Sequence, residues 1–335
     1  MAFDLDALLQ RQLYLARYSD TLTTDTLKLL SKTDSKLYAL IREFLDNATP
    51  RDLVGLQRMG QGSALAQGLL KAIDDLTQAQ QSQVLELLST TFDVLAQKEA
   101  AYIQKAMSQP EPVQPSLLPV AGYTLAGALA VLSIRTLQHI KQALVTAIKA
   151  ETDPIQAIRG TKPQNYKDGV LYARDRDLDK NISFFAMGTV DNVRQQAYEQ
   201  YKVKQVVWLA TLDGRTCKVC AANEVNSPYD LGKAPRFPAH PKDRCVITPK
   251  PENPVTRPYV ADDRPVSKIP KEERADKIGQ TRETYHDWLA RQPDSFQRKW
   301  LGAERYRRFK AGIIVLDELT TGDPAVVVTL DDLPS

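Results

Sequence analysis

Histidine and cysteine are both scarce in this 335-residue chain, with three of each: His139, His240 and His286, and Cys217, Cys220 and Cys245. An odd, clustered trio of cysteines does not make the disulfide framework of a small secreted domain and points to a reducing compartment. Three histidines are too few to supply both the metal ligands and the general base of an HNH-type zinc nuclease, and they give a Cys/His protease reading little support. The N-terminus, Met1-Ala-Phe-Asp-Leu-Asp6, carries acids where a signal peptide needs basic residues and then an apolar run. No internal repeat is evident.

Long apolar runs are nearly absent too. The exception is Val113 to Ile134, which has no charged residue and is mostly apolar from Leu117 onward. Length alone would let it cross a membrane. Pro115, Pro119, Gly122 and Gly127 interrupt it, and Tyr123, Thr124 and Ser133 dilute an alanine-rich content, so a buried helix is expected rather than a span.

What is present is ordinary globular material: 43% hydrophobic and 25% charged residues exclude wholesale disorder and a fibrous fold. The pattern predicts an α+β protein, with an all-helical N-terminal region followed by a small mixed α/β domain bearing a Pro-rich Cys/His loop of zinc-knuckle type. The boundaries expected are residues 1–108 for the helical region, 109–150 for a Pro-rich connector and apolar helix, and 151–335 for the last domain.

Helical spacing carries the first part: Leu5, Leu8, Leu9 and Leu13, then Leu37, Leu40, Ile41, Phe44 and Leu45. Thr49-Pro50 reads as a cap followed by proline at the first helical position, and Gly60-Gln-Gly62 as a break. Pro110, Pro112, Pro115 and Pro119 stiffen the connector before a helix over Leu125 to Lys149. Further on, Val190, Val193, Ala197 and Tyr198 share a helix face, and Val206-Val-Trp-Leu-Ala210 predicts a central strand.

Ten of the twenty prolines fall between Pro228 and Pro270, which predicts an extended arm that something other than a hydrophobic core must pin. The C-terminal part predicts a helix capped at Asp294-Ser295, a second ending at Lys310-Ala-Gly312, a strand at Val326–Val328 and a cap at Thr329. Residues 232–310 hold 19 Lys and Arg against 11 Asp and Glu, a candidate surface for an anionic partner such as DNA. Arg305, Arg307, Arg308 and Lys310 cannot all share one helix face, so part of that charge is expected to be solvated surface.

The chemistry sits in one pattern. Cys217-Lys-Val-Cys220 is followed by His240 and Cys245, a Cys-x2-Cys and His-x4-Cys pairing with the ligand types and spacing of a structural zinc site. Zinc can pin a Pro-rich loop that has little apolar content of its own. A metal-free cluster and a redox Cys-x2-Cys are the alternatives; a redox pair belongs at a helix start after a strand, and Thr211-Leu-Asp-Gly-Arg-Thr216 offers no strong helix former. Asp213 and Arg215 read as turn residues rather than as catalytic groups.

Trp208-Leu-Ala-Thr-Leu-Asp-Gly-Arg-Thr-Cys217-Lys-Val-Cys220, with Pro238-Ala-His240-Pro and Arg244-Cys245, resembles the phage Mu protein F-like, or SPP1 gp7-like, head morphogenesis family. A second block, Trp288-Leu-Ala-Arg-Gln-Pro293, Phe296-Gln-Arg-Lys-Trp-Leu-Gly302, Arg305 through Gly312 and Val328-Thr-Leu-Asp-Asp-Leu333, is similar to that family's closing helices and terminal strand. Together the blocks cover roughly residues 150–335. The family carries Cys-x-Cys after the histidine, where this chain has Asp243-Arg244-Cys245, which leaves Cys245 as the fourth ligand and Asp243 as a poorer oxygen alternative.

The resemblance implies a non-enzymatic minor capsid protein of the virion, placed inside the capsid near the portal after assembly in the host cytoplasm. The implied partners are the portal protein, the major capsid or scaffold protein, and genomic DNA through 232–310, with a role in packaging or DNA ejection. The competing expectations are an ejected protein that acts on DNA or the host membrane, and a zinc-dependent enzyme or toxin.

Overall fold

A computed structural model describes residues 5–161, 168–253, 256–262, 264, 268–322 and 325–334. The expected apolar contact of Leu5, and positions 254, 255, 263 and 265–267 of the basic, Pro-rich arm, lie outside the described residues or side chains.

Six helices come first: α1 (Leu5–Asn47), α2 (Pro50–Gln57), α3 (Ala64–Ala106), α4 (Leu125–Lys149), α5 (Pro154–Arg159) and α6 (Val170–Gln200). Short strands and helices follow: β1 (Gln205–Leu209), β2 (Leu212–Asp213), α7 (Lys218–Val225), β3 (Tyr229–Asp230), β4 (Val246–Pro249), β5 (Arg257–Val260), α8 (Arg274–Lys277) and β6 (Ile278–Thr281). The chain closes with α9 (Tyr285–Ala290), α10 (Asp294–Leu301), α11 (Ala303–Lys310), β7 (Thr320–Thr321) and β8 (Val326–Val327). The fold class is α+β, as the sequence patterning predicts.

The chain divides differently from the linear boundaries read in the sequence. One compact unit gathers Met1–Ala16, Ala96–Leu117 and Met187–Ser335; the other gathers Arg17–Leu95 and Leu118–Ala186. The long helices α1, α3 and α6 each carry residues of both units, which no cut at a single residue can reproduce.

The helical unit has its core in Leu37, Ile41, Phe44, Leu56, Leu69, Ile73, Ile140, Leu144, Ile158 and Leu171, all buried. Its tight corner between α2 and α3 is written locally. Thr49 and Asp52 form a reciprocal capping box, and the Ser63 hydroxyl donates to Asp52 (2.7 Å) while accepting the Ala66 N–H (2.9 Å). A Cβ on Gly55 would meet the Ser63 Cβ at 2.4 Å, so the close approach of α2 to this turn requires glycine. Ser63→Ala is expected to cost about 1 kcal/mol by removing an acceptor from the first turn of α3, a fall of roughly 2–4 °C in melting temperature by calorimetry; no change would mean that water replaces the bond. Arg174 adds a bidentate pair with Asp34 (2.6 and 2.8 Å).

In α4, Leu129, Leu132, Ile140, Leu144 and Val145 are buried, while Val131 and Ile134 are exposed, so the apolar helix is amphipathic rather than buried all round. Among the described residues no helix is long and apolar enough to cross a membrane.

The second unit holds three small sheets, of which the last is only the antiparallel pair of β7 and β8. β1 is central, flanked by β3 and β4, both antiparallel to it, with Trp208 opposite Ile247 and Leu209 opposite Val246. Val206 and Trp208 alternate inward along β1, as a half-buried strand requires. β5 pairs parallel with β2 and antiparallel with β6. The Pro-rich arm thus supplies three short strands, which the proline count concealed. Corrections also arise at the caps. Pro293 stands at the N-cap of α10 with no side-chain cap, so Asp294 and Ser295 lie inside the helix; no helix follows Thr329 among the described residues, and its hydroxyl bonds Asp332.

Candidate metal centre

The two halves of the Cys/His pattern arrive on different elements. A turn after β2 delivers Cys217 as the N-cap of α7, its sulfur accepting the Cys220 N–H at 3.3 Å, and Cys220 sits one turn in. The other half lies before β4: His240-Pro241-Lys242-Asp243 is a tight turn closed by Asp243 N–H to the His240 carbonyl (3.2 Å), with Pro241 second and Lys242 at φ +63° third. Cys245 immediately precedes β4, buried, at the end of the β1–β4 ladder.

Two overlapping groups result, Cys217 with Cys220 and His240, and Cys220 with Asp243 and Cys245, each with its ligand atoms within 4.8 Å of one another. These five residues lie close enough to hold a metal ion, and Cys220 is common to both groups. Its sulfur is 3.5 Å from His240 Nε2. Tetrahedral sulfur and nitrogen ligands on one zinc ion stand roughly 3.5 Å apart, so the donor set fits.

The histidine is oriented for ligation. Nδ1 donates to the Pro241 carbonyl at 2.8 Å, since a carbonyl can only accept, so that a neutral imidazole, the form a metal ion selects, has its lone pair on Nε2, facing Cys220. Asp243 is otherwise employed: its carboxylate accepts the Ala239 N–H (3.0 Å) and the Cys245 N–H (2.9 Å), which fixes the turn.

The electrostatics match a cation site. The hydrogen bond with Cys220 pulls the Cys217 thiol down to about 5 against its burial, with His240 assisting. The hydrogen bond to Cys217 pushes the His240 imidazole up to about 9. Cys220 is pushed far up, first by Cys217 and Cys245 and then by burial, and Cys245 is raised by burial. Three thiols and a carboxylate in one volume cannot all ionise by themselves, whereas a divalent cation lets thiolates coexist.

Groups outside the ligand pattern hold the cluster. Asp213 accepts both terminal nitrogens of Arg244, tying the two halves together, and also the Arg215 N–H at 2.9 Å. Burial would raise the Asp213 carboxyl, but the Arg244 guanidinium outweighs it and holds the acid below its usual range. Trp208 packs edge-on against Phe237, 5.5 Å between ring centres. Gln12, far away in sequence, donates to the Cys245 carbonyl (2.8 Å) and accepts from the fully buried Arg194 (2.9 Å), whose Nε donates to Glu99 (2.8 Å). Gln12 is thus buried where Leu13, expected on the apolar face, is 36% exposed.

Glu224 on α7 is the second fixed point. Its carboxylate accepts the Ala210 N–H (2.9 Å), the Tyr285 N–H (3.2 Å) and two nitrogens of Arg257. The only plausible source of this anchor in the sequence is a pair of charges 33 residues apart, with no spacing rule to connect them.

Two expectations change. Cys217 caps a helix after a short strand, so the ground on which a redox pair was set aside does not hold. Part of the basic segment's charge is also spent internally, with at least eight of its nineteen Lys and Arg in ion pairs: Arg257 with Glu224, Arg244 with Asp213, Arg264 and Lys277 with Asp262 and Glu273, Arg291 with Glu283, Arg307 and Arg308 with Glu304, and Lys310 with Asp294. His139 and His286 stand outside both ligand groups.

Comparisons with protein-family models, with curated proteins and with solved structures found no match to this chain. The fold and the cluster define the class on their own: an α+β protein with long helices and a small sheet unit carrying a Cys/His metal-ligand cluster.

Proposed function

We propose that this chain is a non-enzymatic minor head protein of a tailed phage whose Cys217, Cys220, His240 and Cys245 hold a structural zinc ion. The observation that carries the zinc is the meeting of two ligand pairs, about twenty residues apart in sequence, in two ligand groups that share Cys220. Cys245 is the fourth ligand rather than Asp243, whose oxygens serve backbone N–H groups. The ion supplies no reaction; it joins the start of α7 to the start of β4.

The head-protein reading rests on the two sequence blocks described above, with the portal protein as principal partner, the major capsid or scaffold protein as further neighbours, and a place inside the capsid near the portal. Because the basic segment spends part of its charge on internal pairs, genomic DNA is the weaker of the proposed partners. Mass spectrometry of purified virions and of DNA-emptied ghosts tests the assignment: the protein is expected in virions at low copy, and its absence from both sinks it. A salt titration of DNA retention tests the DNA contact, which fails if nothing is retained even at low salt.

A thiol redox role is the second reading, favoured by the helix-capping position and lowered pKa of Cys217. Elemental analysis separates the two: about one zinc per chain supports the structural site, whereas zinc-free protein that cycles a Cys217–Cys220 disulfide supports the redox one.

A further inference from the structure

The three cysteines of the cluster are not equally placed. Cys220 and Cys245 are 1% and 3% exposed, whereas Cys217 is half-buried. Cys217 also lines a cavity of about 670 Å³ with Thr216, Phe296 and Trp300, and neither Cys220 nor Cys245 is among the lining residues. A small oxidant arriving from water therefore meets one sulfur of the cluster before the other two.

A partner for that sulfur stands on the same helix turn. Cys217 is the N-cap of α7 and Cys220 lies three residues on, with the Cys217 sulfur already accepting the Cys220 N–H at 3.3 Å. Positions three apart on a helix face one another at roughly 5–6 Å, the separation a disulfide bridges. The ligand atoms of Cys217 and Cys220 fall in one group, within 4.8 Å, whereas Cys217 and Cys245 share no group. Cys220 is also common to both ligand groups. Tying it to Cys217 withdraws two thiolates at once, and His240 with Cys245 alone does not complete a tetrahedral site.

We propose that Cys217 makes the zinc site sensitive to peroxide, the ion being released as a Cys217–Cys220 disulfide forms. The inference rests on the structural-zinc reading and adds a condition to it: the ion stays only while the pair is reduced. Hydrogen peroxide is the oxidant. The Cys217 thiolate attacks one peroxide oxygen, the O–O bond breaks, and the hydroxide that leaves takes up a proton, giving a sulfenic acid and water. The Cys220 thiolate then attacks the Cys217 sulfur; the S–S bond forms, the S–O bond breaks, and a second hydroxide is protonated to water. Two electrons pass from the sulfurs to one peroxide, and the cation is set free. Asp213 and Arg244, with the β1–β4 ladder, keep the two halves of the cluster joined, so that reduction in the presence of zinc restores the site.

The test uses the full chain, reduced and loaded with zinc, its zinc content measured before any oxidant is added. Hydrogen peroxide is then supplied beside a zinc indicator too weak to strip the untreated protein, and the thiols are mapped by alkylation and mass spectrometry. Expected is the release of about one zinc per chain in step with a Cys217–Cys220 disulfide, with Cys245 still a free thiol, and recovery of bound zinc on reduction. Cys217→His keeps a zinc donor at the position while removing its sulfur, and is expected to hold its zinc through the same treatment. Should that variant bind no zinc, disulfide mapping of the wild type decides alone. Zinc retained by the oxidised wild type, a first disulfide that includes Cys245, or equal release from zinc-loaded Cys217→His overturns the proposal and leaves the structural zinc standing. A reduced wild-type protein that holds no zinc overturns both.

Discussion

Cys220→Ser is expected to abolish stoichiometric zinc and to lower the melting temperature of the protein by about 8–16 °C. Cys220 is the residue common to both ligand groups, so no alternative donor set of three remains once it is gone. A ligand that binds only the folded chain contributes about 4 kcal/mol when its free concentration is a thousand times its dissociation constant, and roughly 2–4 °C accompanies each kcal/mol when the unfolding unit is about 150–250 residues, the size of the compact unit that holds the cluster. Complete unfolding is not expected. The cluster's two halves are also joined by Asp213 and Arg244, by the Thr211 hydroxyl bonded to the Arg244 carbonyl (3.0 Å), and by the β1–β4 ladder. Chelation of the wild-type protein should reproduce the same shift, and the variant should be indifferent to the chelator. Cys245→Ser is expected to lose zinc likewise, whereas Asp243→Asn keeps it and loosens only the turn. Retained zinc in Cys220→Ser, or an unchanged melting temperature in a zinc-free protein, defeats the structural-zinc assignment.

Glu224→Ala is expected to destabilise the small sheet unit by about 3–5 kcal/mol, the cost of leaving one member of a buried ion pair uncompensated. Both side chains of the pair are 5% exposed. Truncation strands the Arg257 guanidinium and removes the acceptor of the buried Ala210 and Tyr285 N–H groups. Arg257 keeps the Ala210 carbonyl (2.9 Å) and the Glu283 carbonyl (2.8 Å), so its position survives better than its charge balance. Chemical denaturation measures the effect. Asp230→Ala serves as the control, because its pair with Lys233 is exposed on both sides and is expected to leave the midpoint unmoved. If Glu224→Ala shifts the midpoint no more than Asp230→Ala, the pair is not an anchor of the fold.

Much of the architecture was written in short-range patterning. The capping box at Thr49, the break at Gly60 and Gly62, the helix over Leu125–Lys149 and the central strand at Val206 follow from caps, breakers and periodicity within a few residues. The ligand types and their spacing were legible for the same reason, since a metal site constrains residue identity more tightly than a core does. Less legible was the strand content of the proline-rich arm: β3, β4 and β5 are two to four residues long, too short for alternation to show, and each exists only because a partner strand supplies its hydrogen bonds.

By itself, then, the sequence determined the fold class, the helical elements and the identities of the four candidate zinc ligands, because each is encoded in local propensity or in chemically specific residues. Only the tertiary structure decided what supports them. Gln12 reaches the Cys245 carbonyl, Asp213 clasps Arg244, and Glu224 meets Arg257. Partners this far apart in the chain are chosen by the folded backbone, where burial makes an unpaired polar group costly and leaves few neighbours able to satisfy it.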